Sequence, residues 1–204
     1  MKKLAIMGSN SGDILESIVE YFQGKHFDIE ITCLYDTLGA DIAHRAAALQ
    51  IKSRYLPQEQ IAEYLGANSF DLIALTDFKG NLTEEIIELG KFVNIHPSLL
   101  PAFKGDDAIQ RAFLAGVKVT GATVHWITNE ADGGKVIAQY PILINNTDHY
   151  DDVNEHVLEL ENILYPAAIS SILEDRVFDF GDLFQNHGCS GSCGGGCSGC
   201  HGGE

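Results

Sequence analysis

Leu4-Ala5-Ile6-Met7-Gly8-Ser9-Asn10-Ser11-Gly12 decides the fold class, because a short apolar run passes through a turn-forming tract directly into a helical pattern. Ile14, Leu15, Ile18, Val19 and Phe22 recur at helical spacing, so the segment reads strand, glycine-rich turn, helix. The alternation then repeats. A strand is expected near Ile29 to Tyr35, a helix near Ala40 to Leu49, a strand at Ser53 to Leu56 and a helix after Pro57. A buried strand at Asp71 to Leu75, a helix from about Thr83 and a strand ending at His96 complete the series. This order predicts an α/β fold, a mostly parallel twisted sheet with helices on both faces. Beyond a helix near Ala108 to Ala115, two strand-like runs, Thr120 to Thr128 and Lys135 to Ile144, flank the turn-rich Asn129-Glu130-Ala131-Asp132-Gly133-Gly134. They predict an antiparallel edge in the C-terminal half. A long helix from about Asp152 to Leu173, with Val153, Val157, Leu160, Ile163 and Leu164 on one face, closes the domain.

With 204 residues and 45% apolar content, the chain can bury one sizeable core. The expected organisation is a domain over residues 1–184 and a Gly/Cys-rich tail over 185–204, where no periodicity remains. Thirteen basic and 29 acidic residues give a net charge of −16, which opposes nonspecific binding to nucleic acid or anionic membranes and favours a small-molecule substrate. A local basic pocket can still hold an anion in such a chain. No stretch approaches the roughly 20 apolar residues of a membrane span. Met1-Lys2-Lys3 runs directly into a strand-like segment rather than a signal-peptide core, so a cytoplasmic location is expected. Oligomeric state has no signature in the sequence.

The chemistry centres on Asn94-Ile95-His96-Pro97-Ser98-Leu99-Leu100-Pro101. Residues i and i+2 of a strand share a face, and the Pro97 ring favours a strand ending at His96. An amide donor and an imidazole at one strand end suit oxyanion stabilisation and proton movement. Open parallel sheets bind ligands beyond the carboxyl ends of their strands. Gly8 to Gly12, Thr76 to Leu82 and His96 to Pro101 should meet there, with Asp132 the natural carboxylate to join His96. Each residue also has an ordinary reading: Asn and His near turns satisfy backbone groups, and Asp before Gly-Gly is good turn chemistry.

Asn94 to Pro101, Phe103-Lys104-Gly105, Gly121-Ala122-Thr123-Val124-His125, Asp132-Gly133-Gly134, Gln139 and Glu161-Asn162-Ile163-Leu164-Tyr165-Pro166 together resemble the glycinamide ribonucleotide formyltransferases, within the wider family that uses 10-formyltetrahydrofolate. The likeness covers about residues 3 to 175. It implies a Rossmann-like formyltransferase fold and formyl transfer from that folate to an amine, glycinamide ribonucleotide of purine biosynthesis or a related one. It further implies Asn94, His96 and Asp132 as the catalytic trio. Asn94 would donate to the oxyanion; His96 would add charge and shuttle a proton; Asp132, directly or through water, would support the imidazole and accept the proton released by the amine. Phe78, Leu82 and Ile127 are implied as the folate pocket, Gly12 and Glu161 as substrate-binding residues, and His125 as a supporting neighbour.

Three departures mark this chain. Where the family shows Ser-Gly-x-Gly-Ser-Asn for the substrate phosphate, the ungapped register here reads Ser9-Asn10-Ser11-Gly12-Asp13-Ile14. Asp13 suits a bare helix N-terminus and would repel a phosphate; a gapped register would instead bring Gly8-Ser9-Asn10 to the site. The folate loop reads Phe78-Lys79-Gly80-Asn81-Leu82 where an Arg is frequent, and Lys79 cannot reproduce a planar fork. Asp106 adds a carboxylate near the expected mouth. The third departure is Cys189, Cys193, Cys197 and Cys200, followed by His201, whose spacing suits a thiolate-rich zinc or iron–sulfur site. These departures leave two alternatives open: hydrolysis of formyltetrahydrofolate, and a non-enzymatic formyltransferase-like protein that binds or delivers metal.

Overall fold

The computed structural model describes residues 1–183. Seven strands form one sheet: β1 (Lys2–Gly8), β2 (Ile29–Tyr35), β3 (Lys52–Tyr55), β4 (Leu72–Thr76), β5 (Phe92–His96), β6 (Val119–Trp126) and β7 (Val136–Leu143). Their order across the sheet is β3-β2-β1-β4-β5-β6-β7. The first five strands run parallel, and β6 and β7 add antiparallel to the β5 side. Both the parallel sheet and its antiparallel edge were legible from the sequence.

Strand parity builds two cores. On β1, Leu4 and Ile6 face one apolar cluster while Ala5 and Met7 face the other, and β4 repeats this with Leu72 and Ala74 against Ile73 and Leu75. Near-continuous apolar strands are what a doubly covered parallel sheet requires. Helices α1 (Asp13–Lys25), α2 (Asp41–Ala48) and α6 (Tyr150–Leu173) supply the first cluster through residues such as Leu15, Ile42 and Leu164. Helices α3 (Ile61–Ala67) and α4 (Glu84–Glu88) supply the second through Ile61, Leu65 and Ile86. Helix α5 (Ala108–Leu114) follows the strand bearing Asn94 and His96.

Several local expectations shift. The helix after Pro57 opens as a 3-10 turn, Gln58–Gln60. The helix expected from Thr83 is one short turn-and-a-half segment, capped by the Thr83 hydroxyl accepting from the Ile86 N–H. Ile163, expected on the buried face of the last helix, is 39% exposed, because one step back from buried Leu164 turns it about 100° away from the core stripe. Among the described residues, no helix is long and apolar enough to cross a membrane. The tail over 185–204, with Cys189, Cys193, Cys197 and Cys200, lies outside the described residues, and no group of three or more potential metal ligands occurs within them.

Candidate active site

Strand order creates the site. The chain leaves β1 toward β2 and β3, then returns to pair β4 on the other side of β1, so the connections diverge at the carboxyl ends of β1 and β4. Such a switch point opens a crevice. A cavity of about 430 Å³ occupies it, lined among others by Ser11 to Ile14, Thr76 to Lys79, Asn94 to Pro97, Gly105 to Ala108, Asp132 and Glu161. The antiparallel β6–β7 connection brings Asp132 to this cavity from the far edge.

On β5 the parity that turns Phe92 toward the second cluster carries Asn94 and His96 along the same side, past the apolar packing and into the cleft. His96 is buried. Its Nε2 lies 3.0 Å from the Phe103 carbonyl oxygen, which makes Nε2 the donor and leaves Nδ1 facing Asp132. Nδ1 and Asp132 Oδ1 are 3.7 Å apart, a spacing for a bridging water rather than a direct bond. The Gly105 N–H donates to Asp132 Oδ2 at 2.7 Å, fixing the carboxylate's other oxygen. Asp132 holds this position with a left-handed backbone, φ 50°, in a turn where Asp tolerates that region.

His125 sits on the other side of the same carboxylate, its Nε2 3.8 Å from Asp132 Oδ1. Its Nδ1 donates to the Trp126 carbonyl at 3.0 Å, so Nε2 is an acceptor in the neutral ring, buried and without a hydrogen-bond partner among the described residues. Burial pushes the His125 imidazole below its ordinary value, opposed by the Trp126 hydrogen bond and the charge of Asp132. One oxygen of Asp132 therefore stands between two imidazoles. Arg111 locks the loop that carries Phe103 and Gly105 by donating to the carbonyls of residues 103 to 105.

Gly12 caps α1 at φ 67°, and a Cβ there would come within 2.5 Å of Ile42. Both the dihedral and the contact demand glycine. Asp13 occupies the first helical position with its carboxylate engaged: Ser11 Oγ donates to Oδ2 at 2.7 Å and an Arg45 nitrogen lies 2.8 Å from Oδ1. Arg45 also contacts Glu16 at 3.2 Å. Glu161, from α6, lines the cleft with no hydrogen-bond or ion-pair partner among the described residues. Burial, with help from the charge of Asp77, pushes its carboxyl up to about 8. Phe78 reaches the cleft, whereas Leu82 and Ile127 pack with it against the second core cluster without lining the cavity. Lys79 is committed to Asp77 at 2.8 Å, and that hydrogen bond holds its ammonium above the ordinary range.

Asp77, Asp107 and Arg45 carry roles the sequence did not signal. Asp77 and Asp107 lie in left-handed turns, at φ 48° and 54°, and line the cleft. The weak signal for both was an Asp at the end of an element; nothing local marked Arg45, whose partner stands 32 positions away.

The chain matches the family described as "Formyl transferase" over residues 2–169. It is 36% identical over 186 residues to the phosphoribosylglycinamide formyltransferase of Bacillus subtilis, covering 85% of this chain and 95% of that protein. It is 30% identical over 190 residues to the Haemophilus influenzae protein of the same name, covering 87% and 90%. Among solved structures, glycinamide ribonucleotide transformylase 1 from Symbiobacterium toebii superposes with a TM-score of 0.81 at 27% identity, covering 88% of this chain and 95% of that one. The corresponding Geobacillus kaustophilus structure gives 0.78 at 32%, covering 85% and 99%. A switch-point cleft holding an amide, an imidazole and a carboxylate, in a chain alike to these proteins along most of its length, identifies this protein as a member of the formyl transferase family.

Proposed function

We propose that this chain transfers the formyl group of 10-formyltetrahydrofolate to the primary amine of a small acceptor, phosphoribosylglycinamide or a related amine, at the cleft containing Asn94, His96 and Asp132. The observation that carries this reading is the convergence of those three side chains at one crevice of a formyl transferase family member. In the balanced reaction the amine nitrogen bonds to the formyl carbon, the bond from that carbon to N10 of the folate breaks, N10 gains a proton, and an acceptor entering as an ammonium releases one proton to solvent. Asn94 donates an N–H where negative charge develops on the formyl oxygen. His96 relays one amine proton to N10, and Asp132 keeps the imidazole oriented and, through water, takes the ammonium's other proton on its way to solvent. Phe78 offers an apolar surface to the donor's ring at the cleft wall, with Leu82 and Ile127 backing it.

The test is to mix the protein with 10-formyltetrahydrofolate and a panel of amines that includes phosphoribosylglycinamide, following tetrahydrofolate and identifying the product by mass. A formylated amine formed at an amine-dependent rate is expected. Formate released at the same rate with and without amine would establish hydrolysis instead.

A further inference from the structure

Two main-chain groups of one short loop orient the pair formed by His96 and Asp132. The Phe103 carbonyl accepts from His96 Nε2 at 3.0 Å, and the Gly105 N–H donates to Asp132 Oδ2 at 2.7 Å. The loop runs between β5 and α5, and Phe103, Gly105 and Asp107 alternate through it in left-handed conformations, at φ 53°, 78° and 54°. Phenylalanine and aspartate stay in that region only where their surroundings hold them there.

Arg111 supplies the hold. It lies on α5, and a long helical side chain leans back toward the helix start, here onto the loop that leads into the helix. One guanidinium nitrogen meets three successive carbonyls, those of Phe103 at 2.9 Å, Lys104, and Gly105 at 3.4 Å. The cation therefore grips the two residues whose backbone groups reach His96 and Asp132, and the Phe103 oxygen is shared between guanidinium and imidazole. Arg111 itself is exposed and does not line the cleft.

Resting on the formyl-transfer reading above, we propose that Arg111 is a positioning residue for that reaction, acting through the Phe103 carbonyl and the Gly105 N–H to fix the ring tautomer of His96 and the orientation of Asp132. With the carbonyl held, Nε2 keeps the hydrogen of the neutral ring and Nδ1 stays the bare nitrogen facing Asp132. With the carbonyl released, the hydrogen is free to sit on either nitrogen. Arg111 touches no reacting atom, so its loss acts by misplacing groups that do, an effect that reaches about 10² in rate.

Arg111→Met keeps most of the stem and removes the donors. Nitrogen NMR of isotopically labelled histidine rings in the full chain, recorded at alkaline pH with the His96 signals identified by their loss in His96→Asn, reads which ring nitrogen carries the hydrogen. The parent is expected to show one tautomer, hydrogenated at Nε2. Arg111→Met is expected to show a mixture of both, with kcat for formyl transfer lower by about 10- to 100-fold and KM for each substrate within about threefold of the parent. Because a single nitrogen meets all three carbonyls, the three-donor ammonium of Arg111→Lys should restore most of the rate and the single tautomer. Circular dichroism checks folding, and Arg111→Gln carries the same measurements if the methionine variant does not fold. An unchanged tautomer in Arg111→Met, a kcat within about threefold of the parent, a lysine variant no better than methionine, or loss of folding in both the methionine and glutamine variants would overturn the proposal. A parent that forms no amine-dependent product would sink the formyl-transfer reading, and the tautomer comparison would still decide whether Arg111 sets the His96 ring.

Discussion

Asp132 divides its work between two oxygens. One is fixed by the Gly105 N–H and the other stands within 4 Å of both His96 Nδ1 and His125 Nε2, so the carboxylate is oriented before any ligand arrives. Asn94 shares the strand face, and in the proposed reaction its amide donates where charge accumulates. Removing one oxyanion donor costs turnover by about 10²–10³, so Asn94→Ala should lose that much in kcat while KM for the folate changes little, which steady-state kinetics on both substrates would resolve. Glu161 makes a separate prediction. Its carboxyl is raised from 4.5 to about 8, so the folded chain keeps a proton that the unfolded chain releases over that window, and stability falls as pH rises through it. Glu161→Gln removes that loss. Relative to the parent, the variant should gain on the order of 2 kcal/mol between pH 5 and pH 8.5, with cleft solvent holding the gain below the full shift; urea titrations at the two pH values would check it. The placement of Asn94 and His96 together at one strand end was legible because strand alternation and the X-Pro bias are local rules that survive folding. Asp77, Asp107 and Arg45 were not, because their roles come from which loops the topology brings together.

At the scale of elements, the turn between β1 and α1 fixes the cleft's floor. Gly12→Ala would demand φ 67° of an alanine and press a methyl into Ile42. We expect a cost of about 1–3 kcal/mol by denaturant titration, larger than glycine replacement in an exposed turn. Helix α6 anchors the opposite wall: the single O–H of fully buried Tyr165 is shared between the main-chain carbonyls of Leu75 and Val93, joining α6 to β4 and to β5, the strand that bears Asn94 and His96. Tyr165→Phe should destabilise by about 1–3 kcal/mol, since it leaves buried acceptors without their donor. Strand bounds were close to expectation: Ile29 to Tyr35 matched β2 at both ends, because its β-branched and apolar residues are bounded by Asp28 and Asp36. The final helix was harder. From Leu164 onward it is buried almost all round, so a stripe drawn by periodicity at its N-terminal half mislaid Ile163, while α4 begins where expected and is short because only Ile86 in it is buried.

Among the described residues, one sheet with two cores opens a switch-point crevice, and that crevice shares the acidic balance of a chain with net charge −16. The fold could be read from strand–helix alternation because that pattern is written in local periodicity, whereas the pairing of charges around the crevice is displayed only by the assembled loops. Formyl transfer at this cleft is tested by following an isotopically labelled formyl group from 10-formyltetrahydrofolate to an amine acceptor in a single turnover, for the parent chain and for His96→Ala. Label appearing on the amine with the parent, at a rate reduced by about 10² or more in His96→Ala, is the expected result. Label on the amine at equal rates in both proteins, or label found only as formate, would contradict it.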